Sequence, residues 1–260
     1  MSEQTQGFLH RLRSSVFHRS WSGFPDAQRD KMSADMGIVS MGRSLRNLAR
    51  NGFSPRSIVD VGAFVGDWTR EAMTAFPGAS VLMVEPRPTQ EKLLDAVCAE
   101  SGSRASYAMT ALGRVPNSEL QFFVTAKGGS GSSAYEEISD VARVATTVPS
   151  TTLDELVERR GIEPPQLLKA DVQGFELEVL AGATATLAAV EVLILEVAFW
   201  PYNKGAPLMT EVLSAVKELG FRPYDVASLM RRPQDDAVVH CDMLFVNQTS
   251  PLLRDTETHW

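Results

Sequence analysis

The stretch Val59-Asp60-Val61-Gly62-Ala63-Phe64-Val65-Gly66-Asp67 constrains this chain more than any other. It continues the short apolar run that starts at Ser57 and leads into helical spacing through Trp68, Ala72 and Phe76, which Pro77-Gly78 ends. Gly62 lets the chain turn sharply after a strand, Gly66 lets the backbone approach a ligand closely, and Asp67 is placed to cap the helix. In an open sheet such a turn lies at the carboxyl edge, where ligands bind at a topological switch point. The dinucleotide pattern GxGxxG does not fit, because Ala63 and Phe64 follow Gly62.

Strand, turn and helix then repeat. Ser80 to Val84 reads as a second strand ending at Glu85-Pro86, followed by a helix over Gln90 to Ala99 and a third strand near Ala105 to Thr110. A hairpin-like region around Leu120 to Thr125 precedes the glycine- and serine-rich stretch Lys127 to Ser133. Inside an α/β domain such loops more often line sites than link units. Val148 to Arg160 gives a strand end and a helix capped by Thr151 or Thr152, and Gln166 to Ala170 a central strand ending at Asp171. A helix from Gly174 to Leu180, a strand Val192 to Leu195 ending at Glu196, and a helix Leu208 to Leu219 stopped by Gly220 follow. Phe221 to Val226 and Val238 to Val246 close the pattern as a hairpin. The expected fold is α/β, a mostly parallel seven-stranded sheet with helices on both faces and a C-terminal antiparallel hairpin. Residues 1–52 read as a helical N-terminal extension, with Ile38, Met41, Leu45 and Leu48 on one face, and 53–260 as the α/β domain.

Composition narrows the function classes. A net charge of −7 argues against a broad nucleic-acid surface, which needs clustered Lys and Arg. No run approaches the roughly 20 apolar residues that span a bilayer. Met1 to Ser20 is interrupted by Arg11, Arg13, His18 and Arg19, unlike a signal peptide, so a cytoplasmic protein without a membrane partner is expected. Cys98 and Cys241 show no CxxC spacing and read as reduced, apolar-like thiols.

Glu85 falls about twenty residues after the glycine turn, where a carboxylate can accept both hydroxyls of an adenosine ribose. The run Leu167-Leu168-Lys169-Ala170-Asp171-Val172-Gln173-Gly174-Phe175-Glu176-Leu177-Glu178-Val179-Leu180-Ala181-Gly182-Ala183 closely resembles the signature of FkbM-type methyltransferases. In that family the fourth strand ends in lysine-x-aspartate-x-glutamine-glycine-x-glutamate. Ser150 to Leu156 is similar to the family's approach to that strand, and Leu195-Glu196-Val197 and Gly220-Phe221 continue the pattern. The resemblance implies a class I, Rossmann-like fold and methyl transfer from S-adenosylmethionine, usually to a hydroxyl oxygen of a sugar, glycan or secondary metabolite. It implies that Asp60, Gly62, Ala63, Phe64 and Gly66 surround the methionine part of the cofactor. Glu85 would hold the ribose, Thr110, Ala111 and Leu112 would lie by the adenine, and Ser132 with Ser133 would match a family serine pair.

Methyl transfer is an in-line displacement, so the protein must align an acceptor oxygen and accept its proton. Asp171, bordering the cofactor, is the first candidate base, Glu196 the second, and Gln173 a donor to the acceptor or to Asp171. Two carboxylates fall short of a metal site, so no metal is assigned; a divalent cation stays the lesser alternative. Lys169, on a buried strand, needs a partner, with Glu196 or Glu176 in reach. His240 and Asp242 share a strand face, Phe199 to Lys204 could line an acceptor pocket, and Arg231-Arg232 read as solvated charge. An NAD-dependent oxidoreductase and a catalytically silent cofactor-binding module are the rival readings. Fold does not fix the acceptor, and a homodimer is only a mild expectation.

Overall fold

Apolar runs without polar alternation, such as Leu193-Ile194-Leu195, suit strands covered on both faces. The computed structural model of the protein has them at the centre of its main sheet. It describes residues 38–125, 131–138 and 142–253; most of the N-terminal extension and Lys127 to Ser130 of the glycine-rich stretch lie outside the described residues.

The elements in chain order are α1 (Met41–Arg50), β1 (Ser57–Val61), α2 (Asp67–Ala75), β2 (Ser80–Val84), α3 (Glu91–Glu100), β3 (Ala105–Ala108), β4 (Ala111–Leu112) and β5 (Ser118–Thr125). They continue with β6 (Arg143–Thr151), α4 (Leu153–Arg160), β7 (Leu167–Ala170), α5 (Glu176–Ala181), β8 (Val192–Ala198), α6 (Met209–Glu218), β9 (Phe221–Arg231) and β10 (Val238–Asn247). The main sheet has seven strands in the order β3-β2-β1-β7-β8-β10-β9. Pairing is parallel from β3 to β8, and β10 runs antiparallel to both β8 and β9. This is the class I methyltransferase architecture that the resemblance implies.

Side chains alternate along each strand, so one sheet builds two cores. Val59, Leu168, Leu193 and Leu195 pack with Leu156, Leu180 and Val216 on the α4, α5 and α6 face. Ile58, Leu167, Val192 and Ile194 pack with Leu45, Leu48, Ala72 and Leu94 on the α1, α2 and α3 face. The part of the extension that is described is thus a helix docked on the sheet, tied also by the Ser44 hydroxyl donating to Asp225 (2.6 Å).

The structure refines three local expectations. Gly66, not Asp67, occupies the cap position of α2, and Asp67 is its first helical residue, placing a carboxylate at the positive end of the helix. Thr152 rather than Thr151 caps α4, accepting from the Glu155 amide (3.2 Å). A second sheet, β4-β6-β5, stands beside the first around Ala111, Phe122 and Val148. Its long strand β6 is largely exposed from Arg143 to Thr147, so it shows none of the hydrophobic alternation that marks a half-buried strand.

The glycine turn is fixed by sterics. Gly62 has φ +79, and a Cβ there would sit 2.0 Å from the Asp171 carbonyl oxygen, because the turns after β1 and β7 press together. Gly62→Ala is expected to cost at least about 2 kcal/mol, strain and overlap both counting. A urea midpoint unchanged from the wild type would contradict this packing.

Candidate active site

The chain leaves β1 toward β2 on one side and later enters β7 on the other, so the two strand ends diverge. A cleft with a cavity volume of about 140 Å³, partly open to solvent, lies at these ends. Gly62, Phe64, Glu85, Thr110, Ala111, Leu112, Ser132, Asp171 and Gln173 line it, and Val61, Val84, Leu120, Phe122 and Phe175 give it apolar walls. The small sheet therefore supplies one side of the cleft.

Asp60, Ala63, Gly66 and Glu196 stand behind the lining. Ala63 belongs to the core under α2, and the close approach Gly66 permits is to Val97 of α3, whose methyl would lie 2.5 Å from a Cβ. Asp60 is fully buried, accepting from the Thr69 hydroxyl (2.7 Å) and from the Lys169 ammonium (3.1 Å). Lys169 also lies 3.6 Å from Asp171. Its partners are thus Asp60 and Asp171, not Glu196 or Glu176, because Asp60 and Lys169 are register partners on adjacent strands. Burial pulls the Lys169 ammonium down, but the carboxylates of Asp60 and Asp171 outweigh it and hold the ammonium above its ordinary value.

At the ribose position, Glu85 is 2% exposed. Its Oε2 accepts from the Phe64 amide (3.0 Å), and its Oε1 from the Arg87 amide (3.1 Å) and Arg87 Nε (2.6 Å). Arg87 Nη1 reaches the Ser132 hydroxyl (3.2 Å), and the guanidinium lies 4.8 Å from the Phe64 ring centroid. The Thr110 hydroxyl is turned to the backbone, toward the carbonyls of Ala111 and Pro149 (both 3.1 Å).

Register gathers the acids at the other end. Asp242 pairs with Glu196 across β10 and β8, and Asp171 follows Ala170, whose partner is Leu195. Carboxylate oxygens of Asp171, Glu196 and Asp242 consequently lie within 4.8 Å of one another. Gln173, in a left-handed conformation (φ 57), sends its amide to Asp171 Oδ1 (3.0 Å) and Glu196 Oε2 (2.9 Å). Its own carbonyl accepts from the Ser133 hydroxyl (2.8 Å) and Asn203 Nδ2 (2.6 Å). The Tyr202 hydroxyl donates to Glu196 Oε1 (2.5 Å), His240 Nδ1 lies 3.6 Å from Glu196, and the Ser228 hydroxyl donates to Asp242 (2.5 Å). Three carboxylates would suit a divalent cation in number. The amide, the two hydroxyls and the Lys169 ammonium already face them, and no metal is assigned.

Burial, reinforced by the Asp171 and Glu176 charges, raises the Glu196 carboxyl well above the usual range. Burial and then Asp171 likewise raise Asp242, while burial lowers His240 and favours its neutral ring. Asp171 is the one acid of this trio on the cleft wall, its side chain 33% exposed.

Glu176 is buried under the turn, its Oε1 accepting from the amides of Val172 (2.9 Å) and Gly174 (3.2 Å). Burial pushes its carboxyl up to about 7. A raised folded value contributes stability that is complete below the unfolded value near 4.5 and is lost as pH rises through 7. Glu176→Gln keeps an acceptor for both amides and removes the charging penalty. From pH 5 to pH 8 the variant is expected to gain on the wild type by on the order of 3 kcal/mol in urea unfolding. A constant gap would contradict the assignment.

Sequence reasoning missed Arg87 as a lining residue and left Asp242 without a role, and Tyr202 and Asn203, expected in a pocket-lining loop, instead brace Glu196 and the Gln173 carbonyl behind the cleft. A charged residue just past the apolar strand Ser80 to Val84 was the available signal for Arg87. Arg232 is not merely solvated: it pairs with Asp235 (2.6 Å) and stacks on Trp200 at 3.7 Å.

The Methyltransferase FkbM domain matches residues 60–223, from the middle of β1 into β9, well over half the chain. The chain belongs to the FkbM methyltransferase family. Ser228, His240 and Asp242, and the Arg232–Asp235 pair, fall outside the family match. The chain is 43% identical to the hexuronic acid methyltransferase AglP of Haloferax volcanii over 51 residues, 20% of this chain and 21% of that protein. That match spans about a fifth of the relative's length. Among solved structures, the FkbM methyltransferase of Methylobacillus flagellatus is similar over 73% of this chain and 43% of its own, with 16% identity and a TM-score of 0.45. The 1,6-didemethyltoxoflavin-N1-methyltransferase of Burkholderia thailandensis is similar over 92% and 89%, with 12% identity and a TM-score of 0.41. Among the described residues no helix is long and apolar enough to cross a membrane.

Proposed function

We propose that this family member transfers a methyl group from S-adenosylmethionine to a hydroxyl oxygen of a sugar, glycan or secondary metabolite, as a cytoplasmic enzyme without a nucleic-acid or membrane partner. The observation that carries the proposal is Asp171, a carboxylate on the cleft wall steadied by the Gln173 amide and the Lys169 ammonium.

The cleft suits the cofactor chemically: a buried carboxylate, Glu85, between apolar walls answers a nucleoside's ribose and base. S-adenosylmethionine, when bound, supplies the electrophilic methyl group on a sulfonium. Glu85 would take the ribose hydroxyls, and Val84, Ala111 and Leu112 would face the adenine. Asp171 would accept the acceptor's proton, with the Gln173 amide orienting it. Glu196, with its raised affinity for protons, stands beside Asp171 as a second carboxylate, both held by the Gln173 amide.

The same acids select among acceptors. A carboxylate acceptor would bring another anion beside Asp171, Glu196 and Asp242, and like charges at this range oppose ionisation. A neutral hydroxyl meets no such penalty. The Haloferax relative, a hexuronic acid methyltransferase, supports a sugar-like acceptor, whose own carboxylate would have to lie away from these acids. Incubation with methyl-labelled S-adenosylmethionine and a panel of neutral sugars, uronic acids and polyketide alcohols tests this. Methyl ethers with stoichiometric S-adenosylhomocysteine are expected. Methyl esters of the uronic acids instead would overturn the hydroxyl assignment, and no transfer across the panel would count against the enzyme.

A further inference from the structure

We infer that Arg87 is a built-in competitor for the ribose oxygen of Glu85, which the cofactor must displace to bind. The inference rests on the cofactor reading above and follows from counting acceptor positions. An ionised carboxylate offers about four lone-pair positions, two on each oxygen. Oε1 of Glu85 already accepts twice, from the Arg87 amide and from Arg87 Nε, and Oε2 accepts once, from the Phe64 amide. One position is left, and a ribose diol needs two. The two amide donors belong to the turns that follow β1 and β2 and cannot leave without unmaking them. The Nε donor sits on a side chain and can.

Among the described residues, three contacts hold the guanidinium where it is. It bonds Glu85 at 2.6 Å, donates to the Ser132 hydroxyl across the cleft at 3.2 Å, and lies over the Phe64 ring at 4.8 Å. Both Ser132 and Phe64 line the same cleft, so Arg87 bridges the walls where a nucleoside would enter. Once Nε is released, the ring and the serine remain as contacts for the charge. Arg87 therefore sets cofactor affinity by the fraction of molecules in which Glu85 is open, since apparent affinity scales with the competent fraction.

Titration of the full-length protein with S-adenosylhomocysteine tests this, in the wild type, Arg87→Met and Arg87→Lys, and for each in a Glu85→Gln background. Arg87→Met is expected to tighten binding about tenfold, as for a competent fraction near a tenth. Arg87→Lys, which keeps a buried cation and so preserves folding where the Met variant fails, is expected to tighten it by about threefold, having lost the planar fork. Both gains should vanish when Glu85 is Gln. Binding by the wild type that is unchanged or weakened in both variants would overturn the inference while leaving the cofactor reading intact. No binding in any of them would sink both.

Discussion

Asp171→Asn is expected to lower kcat for methyl transfer by about 10²–10⁴-fold, the usual contribution of a positioned base. The affinity for S-adenosylmethionine should move by less than about threefold, because Glu85 and the apolar walls are untouched. Among Asp171, Glu196 and Asp242, only Asp171 reaches the cleft wall. The amide keeps the shape and can still accept from Gln173, so a fall confined to kcat isolates the proton-accepting role. Single-turnover rates with a methyl-labelled cofactor, once an acceptor is in hand, measure it. A loss smaller than tenfold would shift the base to Glu196, and an equal loss in cofactor binding would make Asp171 a scaffold residue.

Lys169→Met should destabilise the protein by about 3–5 kcal/mol, the cost of breaking a buried ion pair by removing one partner. Asp60 is fully buried, and without the ammonium it keeps only the Thr69 hydroxyl among its side-chain donors. Asp171 would lose its cation at the same time. The double variant Lys169→Met with Asp60→Asn should recover most of the loss, because no fully buried charge is then left stranded and Asp171 is partly exposed. Urea midpoints of the two variants decide it. A single-variant loss below about 1 kcal/mol would mean that water reaches Asp60 and the pair is not truly buried.

The architecture was legible because each central strand is a short, mainly apolar run bounded by turn residues. Ser57 to Val61 and Val192 to Leu195 are such runs, and the alternation with helices orders them. The Gly62 turn and Glu85 were legible for the same reason, since both sit where strands end. The small sheet was hidden because β6 exposes its polar residues from Arg143 onward, leaving no period to read. The partner of Lys169 was misassigned because pairing depends on register, which two parallel strands more than a hundred residues apart do not reveal. Register equally brings Asp242 abreast of Glu196, although the alternation of His240 and Asp242 had placed both on one face. Arg87 escaped because its role is to hold Glu85, a relation between side chains that no motif encodes.

The most direct test of the account is a calorimetric titration with S-adenosylmethionine and, separately, with NAD, using Glu85→Gln as the control. Micromolar binding of the sulfonium cofactor, weakened at least about tenfold by the substitution, together with no response to NAD, is the predicted result. Well-folded protein that ignores S-adenosylmethionine, or that binds it equally well without the Glu85 carboxylate, would contradict the placement of the cofactor in this cleft.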